Sequence, residues 1–412
     1  MKTILEQSKA ASQASQKLRR ETTKHKNLFL DSLMQELKEA TDAVLVANEK
    51  DLSQSDAITS AMKKRLGIDS NAITGFIDTL QSIKESEDPI GKIIKTFKPE
   101  QGFTVNRVLA PIGVIAVIFE SRPNVLLEAA ALGVKSGNVM ILRGGKEAMY
   151  TNQAIFDLIQ KALTIAGITN DAVQLIEDRR HEAIDELIVL DQYIDLVIPR
   201  GREALVSRVV SGARMPVIQH MRGLCHMYID DSASVDMAIK LVSNAKTSNP
   251  ATCNTIETLL VHQDMADAVL PGVLEKIINQ GVEVRGDAKV CEYSDKCILA
   301  TDEDWNTEYL DMIISIKIVE SFEAALSHID QYSSGLTDSI ISNNKEHIQQ
   351  FLNQVNSAVV LVNASNRLAD GSVFGLGAEI GISTSSIHMK GPMSLEDLTV
   401  SHYEVIGDGN ER

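Results

Sequence analysis

Over the first ~95 residues, apolar positions recur at helical spacing. Leu30, Leu33, Met34 and Leu37 fall at i, i+3, i+4 and i+7, the stripe of an amphipathic helix. No chemical grouping lies among them, so the segment reads as a helical structural layer. From residue 103 the pattern changes. Residues 103–111 (FTVNRVLAP) alternate, as in an exposed strand or hairpin arm. Residues 114–119 (VIAVIF) form an unbroken, largely β-branched apolar run, as in a strand buried on both faces of a parallel sheet. An Ala-rich helix (125–136), a strand (139–142) and a helix from about 147 follow. In that last helix Ile155, Leu158, Ile159 and Ala162 keep helical spacing. Strands at 172–176 and 194–198 continue the alternation. A second series lies at 258–262, 282–284, 312–319, 339–342 and 358–363. Strands separated by helices of this length predict βαβ units and parallel sheets. Two such series predict two α/β domains with a cleft between them. The polar segment from about 393 is expected to pair with a neighbouring subunit.

Composition narrows the function classes. A chain of 412 residues has room for two or three domains. With 44% hydrophobic and 23% charged residues it is not disordered. A net charge of −16 repels phosphate backbones, which argues against nucleic-acid partners. An anionic substrate then needs a local basic pocket, so arginines and lysines in glycine-rich loops become the candidates to follow. The opening MKTILEQSKAASQASQKLRR has no apolar core, so no signal peptide is expected. No run approaches the ~18 apolar residues of a membrane span. The four cysteines form no CxxC pair, as for free thiols in a reducing cytoplasm.

Three segments carry candidate chemistry. In 111–125 and 135–148, glycines and polar residues directly follow apolar strands, where an open α/β sheet places its ligand crevice. Gly144 and Gly145 allow a turn and close approach of a ligand. Arg143 and Lys146 put positive charge at the strand end, and a basic residue there tolerates a ribose 2′-phosphate. An ordinary β–α turn with surface charges reads the same way. Residues 194–205 (IDLVIPRGREAL) are another strand, glycine turn and helix, able to hold an anion on N-terminal amides. Many β–α turns share that pattern. In 249–261 (NPATCNTIETLLV), Cys253 occupies a polar loop before an apolar strand. A partly exposed thiol near cations is reactive, although most loop cysteines are inert. Cys225, in GLCHMYID, has the flanks of a buried thiol, and Cys291 and Cys297 read as structural. His220 and His226 are six apart without a third ligand at metal spacing, so no metal is expected. The GLGAEIG run (375–381) lacks the GxGxxG spacing of a dinucleotide fingerprint. Trp305, the only tryptophan, reads as packing.

Taken together, residues 119–148, PRG (199–201), GLCHMYID (223–230), CNTIETLLV (253–261) and DGSVFGLGAEIGIST (370–384) resemble, in this order, the gamma-glutamyl phosphate reductases of the aldehyde dehydrogenase superfamily. The resemblance covers nearly the whole chain and raises Cys253 above its sequence background. It implies an α/β, aldehyde dehydrogenase-like fold with three parts. These are a Rossmann-like NADP-binding domain (1–229, its 98–110 hairpin contributing to a small oligomerisation flap), a catalytic domain (230–390) and a C-terminal oligomerisation segment (391–412).

The resemblance also implies a reaction, the NADPH-dependent reduction of L-glutamyl 5-phosphate to L-glutamate 5-semialdehyde in cytoplasmic proline biosynthesis. Cys253 is then the nucleophile, with its own backbone amide and the Asn124 side chain as oxyanion donors. Arg143, Lys146, Pro199, Arg200, Gly201 and Glu308 match the cofactor segments. Phe374, Gly375 and Gly377 are expected at the substrate end, and Arg122, Arg367 and Lys390 as basic partners of the substrate's anions. The expected partners are the small-molecule substrate, the upstream glutamate 5-kinase and further copies of the chain. Gln219, 34 residues before Cys253, aligns near the glutamate that activates water in hydrolytic relatives. An amide cannot take that proton, which favours reduction over hydrolysis.

Three departures stand out. Arg202 follows Gly201 where relatives read a second glycine, Asn249-Pro250 stands where Arg-Pro is usual, and HMKGPM replaces HARGPM. The rival readings are an oxidising or CoA-acylating aldehyde dehydrogenase, and a binding protein that kept the fold without the chemistry.

Overall fold

The run at 114–119 forms a strand whose six residues are all buried, and the architecture grows outward from it. The computed structural model describes residues 2–54, 63, 65–219 and 222–412. The chain divides into two compact units, one of residues 1–219, 375–381 and 393–412, the other of residues 220–374 and 382–392.

The first unit opens with helices α1 (Ile4–Leu18), α2 (Thr23–Glu39), α3 (Thr41–Ser53) and α4 (Ser70–Glu85). A Thr3–Glu6 capping box starts α1, satisfying amide groups that a helix start leaves unpaired. The predicted stripe on α2 buries Leu30, Leu33 and Leu37 completely, with Met34 half-buried. Strands β1 (Ile93–Phe97) and β2 (Thr104–Pro111) form an antiparallel hairpin. Then follow β3 (Val114–Phe119), α5 (Pro123–Lys135), β4 (Val139–Arg143), α6 (Met149–Ala166), β5 (Val173–Leu175), α7 (Glu182–Leu187), β6 (Leu196–Arg200) and α8 (Glu203–Gly212). The four strands make a parallel sheet in the order β5-β4-β3-β6. The chain winds outward from β3 to β5, then returns to place β6 on the other side of β3. That reversal is a topological switch point, where open α/β sheets bind ligands at the carboxyl ends of the strands.

The second unit comprises β7 (Cys225–Ile229), α9 (Val235–Thr247), β8 (Ile256–His262), α10 (Gln263–Asn279), β9 (Glu283–Gly286), α11 (Ala288–Cys291), β10 (Ile298–Leu299), β11 (Ile313–Val319), α12 (Phe322–Tyr332), β12 (Thr337–Ile341), α13 (Lys345–Gln354), β13 (Val359–Val362), β14 (Ile382–Ser383) and β15 (Gly391–Pro392). Seven strands form one parallel sheet, β10-β9-β11-β8-β7-β12-β13. All seven residues of β8 are buried, as its apolar run requires. Because β7 lies in this sheet, residues 225–229 join it ahead of the 229/230 division expected from the sequence.

Strand β16 (Thr399–Ile406) returns to the first unit and pairs antiparallel with β2, from Thr399 opposite Pro111 to Ile406 opposite Thr104. The tail thus pairs with the hairpin that the resemblance assigns to the same flap. β2 has one edge occupied by β1, and β16 covers the other. All five residues of β1 and the last five of β16 are exposed, so the tail carries few buried residues.

Candidate active site

In the first unit the switch-point strands end in a ring of charge. Ser121, just past β3, adopts a positive φ of 45°. Its amide and hydroxyl donate to Glu147 Oε1 at 2.6 and 2.7 Å. Past β6, the Arg202 amide donates to Glu120 Oε2 at 3.0 Å. Carboxylate oxygens therefore already sit on backbone N–H groups at the two turns beside the switch point. A Cβ on Gly145 would lie 2.2 Å from Glu147 Oε1, and one on Gly201 2.7 Å from Glu120 Oε2. These glycine cradles fit an anionic oxygen, and here the protein's own glutamates supply it. Lys146 is exposed beside them.

Arg143 turns the other way. Its side chain is buried, and its Nη2 donates to the carbonyls of Arg179 and Arg180 at 2.8 and 3.2 Å. Burial lowers the guanidinium's pKa. Arg200 packs against Gly381, where a Cβ would come 2.4 Å from its Nη1. Its buried Nε lacks a hydrogen-bond partner among the described residues. Pro199 is buried within β6.

Pro123 opens α5, where its missing N–H costs nothing. One residue on, the Asn124 amide donates to Glu128 Oε1 at 3.2 Å. Burial pushes the Glu128 carboxyl up to about 7, with nearby Glu379 adding to the rise and Asn124, Arg200 and Arg122 opposing it. Sequence reasoning missed Glu128, because a glutamate inside an Ala-rich helix gives no local signal.

In the second unit Cys253 lies in the loop between α9 and β8, half-buried. The loop is clamped from several sides. Thr252 and Thr255 hydroxyls donate to Asn249 O at 2.9 and 2.7 Å. Asn254 Nδ2 donates to Ala369 O at 3.0 Å. Arg367 Nη1 donates to Thr252 Oγ1 at 2.7 Å, which brings a guanidinium to the residue preceding the cysteine. Cys225, fully buried at the start of β7, donates its thiol hydrogen to Cys253 O at 3.2 Å. Burial, first of all, drives the Cys225 thiol well above its ordinary pKa. Gly223 packs so closely that a Cβ would stand 2.0 Å from Cys253 O.

Glu308 Oε1 accepts the Gly223 amide at 2.8 Å, so this expected cofactor residue reaches the Cys253 loop through Gly223. Two residues on, Leu310 sits at φ 52°, a strained conformation for leucine. Its amide donates to Glu257 Oε1 at 3.1 Å. Glu257 in turn pairs with buried Lys246 at 2.7 Å. Burial lifts Glu257 to about 7 and lowers Lys246, each against the attraction of its partner. No local pattern around Lys246 or Glu257 marks this pair, whose character comes from burial.

Other expected residues scatter. Lys390 Nζ donates to Asn356 O and Oδ1 at 2.8 Å each and is committed there. Phe374 is exposed at 42%, and Gly375 and Gly377 take positive φ values of 75° and 80°, open to glycine alone without strain. His226 is buried against Asp338 and edge-on to His328, while His220 lies outside the described residues. Asp230, Asp231 and His347 bring ligand atoms within 4.8 Å of one another. Asp230 already accepts from the Tyr228, Ser232 and Ser342 hydroxyls, so the cluster reads as a hydrogen-bonded hub.

A topological switch point beside glycine cradles, and a clamped, half-buried cysteine in an α/β unit, define a class that comparison with known proteins identifies. Residues 2–289 match the aldehyde dehydrogenase family, and the chain belongs to that family, whose members are oxidoreductases. Its similarity is to the gamma-glutamyl phosphate reductases. That of Nautilia profundicola is 42% identical over all of both chains. The crystal structure of the Thermotoga maritima gamma-glutamyl phosphate reductase superposes with a TM-score of 0.97, at 39% identity and covering all of both chains. An acetylating aldehyde dehydrogenase from Geobacillus thermoglucosidasius shares the fold at a TM-score of 0.71 and 15% identity, covering 99% of this chain and 97% of its own. Among the described residues no helix is long and apolar enough to cross a membrane.

Proposed function

We propose that this chain reduces L-glutamyl 5-phosphate to L-glutamate 5-semialdehyde and phosphate, using NADPH and a thioester on Cys253. The observation that carries the reading is the Cys253 loop. A half-buried thiol is held at the start of a buried strand, with the Arg367 guanidinium bonded to the preceding residue. A cation there favours the thiolate and suits an anionic substrate.

The thiolate attacks the acyl carbon. A C–S bond forms and the C–O bond to phosphate breaks, phosphate leaving with the electron pair. A reduced nicotinamide, when bound, would supply the hydride that takes the thioester to the aldehyde level. Collapse of the resulting thiohemiacetal returns the sulfur to Cys253 and frees the semialdehyde. The Cys253 amide is the first candidate to stabilise the oxyanion. Asn124 is the second, and its amide must then give up Glu128.

For the cofactor, the first unit offers cradles at Gly145 and Gly201 that already hold carboxylate oxygens, so a phosphate fits once Glu147 and Glu120 withdraw. Lys146 is the residue assigned to the 2′-phosphate. Arg143, bonded to the 179–180 carbonyls, shapes the neighbouring loop. Arg200, Pro199 and Gly201 line the β6 side, and Glu308 binds the nicotinamide ribose. Arg122 and Arg367 meet the substrate's anionic groups, with Phe374, Gly375 and Gly377 at the substrate end. The protein works in the cytoplasm on the acyl phosphate made by a glutamate kinase. It assembles with further copies through the β1-β2-β16 sheet, whose Ile93, Phe97, Tyr403 and Val405 side chains are exposed.

The test runs the reaction backwards. Purified protein is mixed with pyrroline-5-carboxylate, in equilibrium with the semialdehyde, together with NADP⁺, and NADPH absorbance is followed with and without phosphate. Strict phosphate dependence supports the reading. Reduction of NADP⁺ without phosphate overturns it in favour of an oxidising dehydrogenase.

A further inference from the structure

Away from the Cys253 loop, at the β9–β10 margin of the second sheet, two more cysteines meet. The sulfurs of Cys291 and Cys297 are 2.7 Å apart. That is nearer than the ~3.5–4.0 Å at which non-bonded carbons rest, and it approaches the ~2.05 Å of an S–S bond. Both sulfurs are held by defined backbone. Cys291 ends α11, a short helix that Asp287 anchors twice. Its Oδ1 accepts the Val290 amide at 2.9 Å, and its Oδ2 the Ile318 amide of β11 at 3.0 Å. Cys297 stands immediately before β10, its amide bonded to Ser294 O at 3.0 Å. Gly286 leaves room for the pair, since a Cβ there would lie 2.6 Å from Cys297 Sγ. The intervening Glu292, Asp295 and Lys296 are exposed, so small oxidants reach the site.

We propose that Cys291 and Cys297 form a reversible disulfide, a redox modification site separate from the catalytic thiol. Burial, together with the Cys291 sulfur beside it, pushes the Cys297 thiol up to about 12. With a peroxide as oxidant, the Cys291 sulfur takes one oxygen to become a sulfenic acid, and water leaves. The Cys297 sulfur then attacks it and an S–S bond forms. The sulfenic hydroxyl departs with the Cys297 proton as a second water. Two thiols lose two electrons and two protons, and one peroxide becomes two waters. A dithiol reductant reverses the change by exchange. Cys225 takes no part, being fully buried.

The test uses the whole protein, reduced, freed of reductant and exposed briefly to hydrogen peroxide. Thiols are then counted after denaturation and the protein is digested with trypsin. Cleavage follows Lys296, between the two cysteines, so an intact bridge appears as two peptides joined through Cys291 and Cys297. The expected result is loss of the Cys291 and Cys297 thiols together, a joined peptide pair, and recovery of both with dithiothreitol. Cys291→Ser should abolish the joined pair while keeping the reduced enzyme's activity. Cys253→Ala should still form it, which separates this outcome from the assignment of the nucleophile. Full alkylation of both Cys291 and Cys297 after peroxide, or two thiols still lost in Cys291→Ser, overturns the proposal.

Discussion

Gly223 and Cys253 touch through space that only a hydrogen atom can fill, since a Cβ on Gly223 would stand 2.0 Å from the Cys253 carbonyl oxygen. The glycine is thus part of the wall against which the Cys253 loop is shaped, and Glu308 holds it there through its amide at 2.8 Å. Backbone atoms cannot yield as a flexible side chain can. Gly223→Ala is therefore expected to displace the Cys253 loop and lower kcat by roughly 100-fold, the scale on which a misplacement of about 1 Å acts. Steady-state kinetics beside a circular-dichroism melt checks this. Wild-type kcat in a folded variant would refute it.

Cys253 and Cys225 differ in burial by design of the fold, and their reactivity should follow. In native protein, iodoacetamide should label Cys253 with loss of activity and leave Cys225 unmodified, because burial keeps the latter a neutral thiol. Peptide mapping reads the difference. Cys253→Ala is expected to remove all turnover while NADPH still binds, and residual activity above a few per cent would move the nucleophile elsewhere.

Lys146 is exposed whereas Arg143 is bound to the 179–180 carbonyls. Lys146→Glu should weaken NADPH binding at least ~10-fold more than NADH binding, on the order of 1.4 kcal/mol of discrimination. Fluorescence titration with both cofactors measures it, and an equal loss for both would assign the 2′-phosphate to another residue.

Glu128 links stability to pH. Its folded value, about 7, lies above the ordinary 4.5, so between these values the folded chain holds a proton that the unfolded chain has released. Its contribution is fully present below about 4.5 and is lost as pH rises through 7. Glu128→Gln removes the titration, so the urea midpoint should change less between pH 5 and pH 8 than in the wild type. An unchanged pH dependence would mean that the carboxyl titrates normally.

The buried Lys246–Glu257 pair carries a different cost. Removing one partner strands the other in the interior, which typically destabilises by about 3–5 kcal/mol. Glu257→Ala should therefore melt much earlier than wild type, and Lys246→Met combined with Glu257→Met should recover most of the loss. Because Glu257 also holds Leu310, the double variant should keep a raised KM for the cofactor even after its stability returns. Thermal melts paired with KM measurements separate the two effects.

Much of this was legible in the chain. The runs at 114–119 and 258–262 lie in buried strands because β-branched apolar stretches of that length fit a parallel sheet and little else. Cys225 is buried as its flanks indicated. The place of the tail was not legible in its own pattern, since β2, the strand that β16 pairs with, lies about 290 residues earlier. Glu128, Glu257 and Lys246 were invisible for another reason. Their character comes from burial and from partners that the fold supplies. Arg143 looked like a ligand arginine by position, but the carbonyls it serves lie 36 and 37 residues on, a pairing no local pattern encodes.

The pairing of β2 with β16 also sets an order of events during synthesis. The hairpin of β1 and β2 leaves the ribosome early, yet the strand that completes its sheet follows roughly 290 residues later. At about 5–20 residues per second, that interval lasts on the order of 15–60 seconds. Throughout it β2 presents unpaired N–H and C=O groups along one side, an open template for any passing strand. The nascent chain therefore spends most of its translation with a sticky seam, one that only its own late arrival, or a chaperone, can close.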